Sequence, residues 1–141
     1  METTLSQNDM MSLIQVTLGD TVARLSQEIE TLRALNPATM PEQSLSELVD
    51  ETRKFVVFLR YTNEYMKKTT PFPPLKEEML RHKLHLLSVL RALADHVKAQ
   101  DRVAVYDLIT EELRDNLTMW KINVLPLMRR QAHLATGSMQ A

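Results

Sequence analysis

Four histidines, His82, His85, His96 and His133, are the side chains whose ordinary pKa lies nearest neutrality, and chemistry is sought there first. Glu78, His82 and His85 follow one another at spacings of four and three, so one helical face would carry all three. That donor set suits a transition metal. The run Arg81-His82-Lys83-Leu84-His85 adds the positive charge that a phosphorylated histidine would need. Both readings lack their usual companions. A di-iron bundle requires inward Glu-x-x-His pairs on two helices, and the chain contains no Glu-x-x-His. A phosphotransfer module of this size carries glycines after its active histidine, and the segment after His85 has none before Gly137. The plainer expectation is a solvated face with a Glu-His contact inside one helix.

Acidic residues form the second group. Asp107, Glu111, Glu112 and Asp115 include two pairs one helical turn apart, and paired carboxylates act as acid and base when one of them is desolvated. The same segment has a clear apolar stripe, which makes these carboxylates its solvated face, and early acids suit a helix N-terminus. No cysteine is present, so thiolate zinc sites, iron-sulfur clusters, cysteine nucleophiles and disulfides are excluded. Gly19 and Gly137 are the only glycines, too few for a phosphate-cradling loop or a nucleophile elbow. The chemistry-bearing residues therefore predict a protein that is not an enzyme, with no cofactor and no small-molecule substrate.

The elements that would position these groups are helices. Leu18, Val22, Leu25, Ile29 and Leu32 make a continuous stripe in a first helix over about residues 5–35, which Asn36-Pro37 ends. Ser44-Leu45-Ser46-Glu47 reads as a capping box for a second helix to about Lys68, although Pro41 would open it slightly earlier. Its stripe is Leu45, Leu48, Thr52, Phe55, Leu59, Thr62 and Met66. Between Lys54 and Arg60 it is apolar nearly all round, which predicts burial or a second face for a partner.

Thr69-Thr70-Pro71-Phe72-Pro73-Pro74 is expected to be non-helical. A third helix over about residues 75–100 is predicted to turn Leu80, Leu84, Leu87, Leu90, Ala94 and Val97 inward. Asp101 caps a fourth, which carries Val103, Tyr106, Ile109, Leu113, Leu117, Trp120, Val124 and Leu127 and is kinked by Pro126. A hairpin at Lys98–Asp101 is preferred to one bent helix, since some 55 helical residues would extend about 80 Å. The expected fold is an all-α antiparallel bundle of about four long helices, one domain over residues 1–131 with a flexible tail over 132–141.

Composition agrees with that class. Hydrophobic residues are 44% of the chain but aromatic ones only 5%, so the core must come from aliphatic side chains and methionine. Seventeen basic against eighteen acidic residues argue against a nucleic-acid binder that depends on counterion release. The acidic and amide-rich start lacks the basic-then-apolar pattern of a secretory signal, and no apolar run approaches the ~20 residues of a membrane span. A cytoplasmic location is the resulting expectation.

The run Lys98-Ala99-Gln100-Asp101-Arg102-Val103-Ala104-Val105-Tyr106-Asp107-Leu108-Ile109-Thr110-Glu111-Glu112-Leu113, followed by Trp120, resembles small bacterial helical proteins of the flagellar export chaperone type. The pattern is a short turn with Asp, then an amphipathic helix reading Asp-Leu-hydrophobic, Glu-Leu and Trp. It covers residues 98–120. Such proteins are helical bundles that hold an apolar helix of their client, so the resemblance implies a binding role.

The leading expectation is a protein-binding bundle, an adaptor, chaperone or regulatory partner that captures apolar helices of another protein. Phe55 and Phe58 on the doubly apolar helix, and Met119, Trp120, Val124 and Met128 around the kink, are the candidate anchors. Nine methionines add flexible apolar surface or core filler, with Met10-Met11 as a further contact candidate. The alternatives are the Glu78/His82/His85 metal or phosphotransfer bundle and a bundle whose role is self-assembly, for example as a homodimer.

Overall fold

Each helix starts and stops where the residues supply a physical reason. The computed structural model describes residues 7–39, 41–69 and 73–130. Helix α1 is Gln7–Arg33, α2 is Glu42–Thr69, α3 is Pro73–Lys98, and α4 spans residues 102–130. No strand occurs among the described residues. The neighbouring pairs are α1–α2, α2–α3, α3–α4 and α4–α1, the ring expected of an up-down-up-down bundle with short connections. The tail over 132–141 and His133 lie outside the described residues.

After α1, the Asn36 side chain accepts from Ala38 N–H at 2.9 Å, and the Asn36 carbonyl accepts from Thr39 N–H at 3.1 Å. These local bonds satisfy backbone groups that a continued helix would have used. Helix α2 opens at Glu42, directly after Pro41, two residues before the Ser44 cap position expected from the capping box. The expectation that residues 69–74 lie outside a helix is corrected at both ends: Thr69 is the last residue of α2, and Pro73 and Pro74 form the first turn of α3. First-turn N–H groups have no intrahelical acceptor, so a proline there forfeits nothing and its fixed φ is already helical.

The hairpin between α3 and α4 is made without glycine. Gln100 takes the left-handed conformation at φ 56°, Asp101 N–H donates to the His96 carbonyl at 3.0 Å, and Gln100 N–H donates to the Val97 carbonyl at 3.1 Å. This is a Schellman closure with glutamine where glycine is usual. The Asp101 carboxylate then accepts from Ala104 N–H at 3.1 Å and starts α4.

Helix α4 is composite, with two π-helical stretches at Leu108–Leu113 and Trp120–Val124. Leu125 N–H reaches back five residues to the Trp120 carbonyl just before Pro126, whose missing N–H leaves Ile122 without its usual donor. Each widened turn also shifts the register of the following stripe, so Thr110, Asn116, Leu125 and Met128 are buried beside the expected Ile109, Leu113, Leu117, Trp120 and Val124.

The core follows the predicted stripes of α1 and α2 throughout. In α3 the expected stripe is corrected. The buried residues are Leu75, Met79, His82, Leu86, Val89 and Leu93, whereas Leu80, Leu84 and Val97 are exposed and Leu87, Leu90 and Ala94 half-buried. The helix has two apolar rows, and the row that packs inward is the one interrupted by a histidine. Phe55 of α2 and Trp120 of α4 close the centre, their rings edge to face with centroids 5.6 Å apart.

Candidate functional site

Three regions carry unpartnered or polar groups: the α3–α4 interior, the end of the bundle near Gln100, and the outer faces of α2 and α3. The interior holds His82 and is bordered by His85. Asn116 is fully buried on α4. Its oxygen accepts from Trp120 Nε1–H at 3.0 Å, and its Nδ2 donates to the His82 carbonyl at 3.0 Å and meets His85 Nδ1 at 3.0 Å. An indole N–H only donates, so the amide is oriented by Trp120, and His85 Nδ1 is the bare nitrogen of its ring. His82 Nε2 stands 2.9 Å from Glu78 Oε2, where a carboxylate can only accept. The Nε2 proton therefore points at Glu78, and Asn123 Nδ2, 3.4 Å from the same nitrogen, also lies 3.5 Å from Met119 Sδ.

This arrangement keeps His85 apart from the Glu78–His82 pair. Glu78, His82 and His85 do not converge: His82 turns inward to Glu78 and the Trp120 ring, while His85 stays exposed with Nδ1 on Asn116. Among the described residues no three His, Asp or Glu side chains form a cluster able to hold a metal. The Glu78–His82 contact within one helix is present, but His82 is buried and not on a solvated face. Asn116 and Asn123 were missed in the sequence because asparagine on an amphipathic helix reads as surface. The available signal was Asn116 one turn before the lone tryptophan.

The carboxylates divide by place. Asp107, Glu111, Glu112 and Asp115 are all exposed. Glu28 on α1 is half-buried, and burial, then the Glu51 carboxyl beside it, push its pKa up to about 7 against the relief given by Arg24. Arg24 Nε lies 3.8 Å from Glu51 Oε2, beyond hydrogen-bond range, so the pair is incompletely neutralised. Glu30 goes the other way, held low by Arg114, whose Nε donates to it at 2.7 Å across the α1–α4 seam.

A groove of about 700 Å³ lies where the start of α2 meets the α3–α4 turn, floored by Leu45, Val49 and Val105. Its charged lining has both signs, with Arg53 already on Asp50 at 3.4 Å and the Asp101 carboxylate spent on Ala104. Arg102 Nε is buried there without a partner.

Of the six candidate anchors, Phe55, Trp120, Val124 and Met128 are core residues, at most 1% exposed. Phe58 is half-buried and Met119 is 38% exposed. Met10 and Met11 are both half-buried. The apolar side chains that do reach solvent on α2 and α3 are Val57 and Tyr61, Leu80 and Leu84, each pair one turn apart, and Val97 near the end of α3. Leu80 and Leu84 are 51% and 57% exposed.

No helix among the described residues is long and apolar enough to cross a membrane. Compared with family models, curated proteins and solved structures, the chain matches none.

Proposed function

We propose that this chain is a non-enzymatic helical bundle that works by binding an apolar helix of another protein, as an adaptor, chaperone or regulatory partner. The observation that carries this reading is the second apolar row of α3, where Leu80 and Leu84 stand in solvent although the helix has already filled its core row. Burying a leucine is worth about 2 kcal/mol, and two of them left outside the fold on one helix face favour a surface reserved for another molecule. Val57 on α2 adds to it. The similarity of residues 98–120 to flagellar export chaperones favours the chaperone form of this role.

Capture of partners from the native host by the full chain, compared with Leu80→Ser/Leu84→Ser, tests the proposal. The wild type is expected to retain a stoichiometric protein that the variant loses, with an unchanged thermal midpoint. A partner retained equally by both chains, or no partner for either, sinks it.

A further inference from the structure

We infer that the outer face along the α2–α3 seam is a docking surface for an acidic amphipathic helix. This rests on the protein-binding reading and adds the chemistry of the partner. The flanks of the two helices are assigned by their contacts: α2 turns Glu51 toward Arg24 of α1, and α3 turns His85 toward Asn116 of α4. At about 100° per residue, Val57, Leu80 and Leu84 each stand about 160° around the helix from the buried residue two positions on, Leu59, His82 and Leu86 respectively. These three side chains thus point away from the core, on the outer face of the neighbouring helices α2 and α3. Val57, Leu80 and Leu84 are each about half exposed. They form the apolar floor of a face that a helix lying along α2 and α3 covers.

Charge names the partner. Residues 53–91 hold nine Lys and Arg against three Glu, whereas the rest of the chain holds eight against fifteen. The near-neutral total conceals a basic segment over residues 53–91 that follows an acidic one over residues 1–52. Of the cations in the basic segment, Arg53, Lys67 and Arg81 are paired within their own helices. Arg60, Lys68, Lys83 and Arg91 form no ion pair among the described residues, and by helical spacing they border the Val57, Leu80 and Leu84 floor. A symmetric dimer through this face would set like charges against one another, so a second copy in isologous contact is disfavoured. An incoming helix with an apolar stripe and flanking Glu or Asp satisfies floor and rim together.

The test uses the full chain and two synthetic amidated 18-residue helices with identical Leu stripes, one with Glu and the other with Lys on the polar face. Binding is read by calorimetry, with backbone amide NMR shifts to locate it. The Glu peptide is expected to bind at least tenfold more tightly than the Lys peptide, to weaken severalfold between 50 and 300 mM salt as screening predicts, and to shift residues near Val57 and Leu84. Arg60→Glu/Arg91→Glu should reverse the preference, and Leu84→Ser should weaken the Glu peptide at least tenfold. Because all these positions are at least partly exposed, the fold is checked by circular dichroism in the same samples. Equal binding of both peptides that Leu84→Ser abolishes overturns the acidic partner but leaves the protein-binding reading. Failure of the Glu peptide to bind overturns the acidic partner too, and the host capture experiment then decides the broader reading alone. Retention on phosphatidylglycerol vesicles without Glu-peptide binding assigns the seam to a membrane surface. A mass that rises with concentration while the peptide fails assigns it to head-to-tail assembly.

Discussion

At the residue scale, Asn116 has the largest structural consequence for its size. It serves Trp120, the His82 carbonyl and His85 at once, all at 3.0 Å. Asn116→Ala leaves a buried indole N–H unpaired and opens a void, and is expected to cost about 2–3 kcal/mol in urea unfolding. Adding Trp120→Phe removes the orphaned donor, so the double variant should lose less than the sum of the singles. An additive result would show that the amide is not oriented by the indole. Gln100 offers the opposite sign. Its φ of 56° is one that glycine adopts freely, so Gln100→Gly should stabilise the hairpin by about 0.5–1 kcal/mol, read from the same denaturation curves.

Among the elements, α1 and α3 show how differently a hydrophobic pattern can perform. In α1 a single row of Leu, Val and Ile runs inward, and Gly19 beside it sits in a regular helix. A Cβ placed on Gly19 would meet only Leu125 Cδ2, at 4.0 Å, an ordinary contact. Gly19→Ala is therefore expected to raise stability by up to about 1 kcal/mol in thermal unfolding, and a loss would show that α1 and α4 need closer approach than this structure gives. In α3 two rows compete. The leucine-richer row, Leu80, Leu84 and Leu87, wins on hydropathy alone, but His82 can be buried because Glu78 takes its proton-bearing nitrogen. Once that polar group is satisfied, the row containing it packs as an apolar one.

For the whole molecule, the informative charge is the one that titrates between α1 and α2. Glu28 has its pKa raised to about 7 from an ordinary 4.5, so the folded state holds a proton that the unfolded chain releases earlier. Its contribution to stability is fully present below pH 4.5 and is lost as pH rises through about 7. The thermal midpoint should accordingly fall between pH 5 and 8, and Glu28→Gln should flatten the fall in that window. An unchanged slope in the variant would assign the pH dependence to other groups. The same scale carries the separation of an acidic segment over residues 1–52 from a basic one over residues 53–91, a boundary that falls inside α2.

Much of the architecture was legible without coordinates. The near absence of glycine, the helix-period stripes of α1 and α2 and the Asp101 cap are local properties, because periodicity and capping depend on residues a turn or two apart. The candidate surface was not legible in the same way. Phe55, Trp120, Val124 and Met128 read as anchors because large apolar side chains suit core and interface alike, and only packing four helices in a ring assigned them to the core. Which row of α3 turns inward shows only in the packing, where Asn116 of α4 reaches the His82 carbonyl from 34 residues away, and the widened turns of α4 shifted which of its own residues are buried. Sequence alone determined that the chain makes long amphipathic helices. The tertiary structure decided which of their faces are left for a partner, because burial is a property of neighbours and not of a residue's own hydropathy.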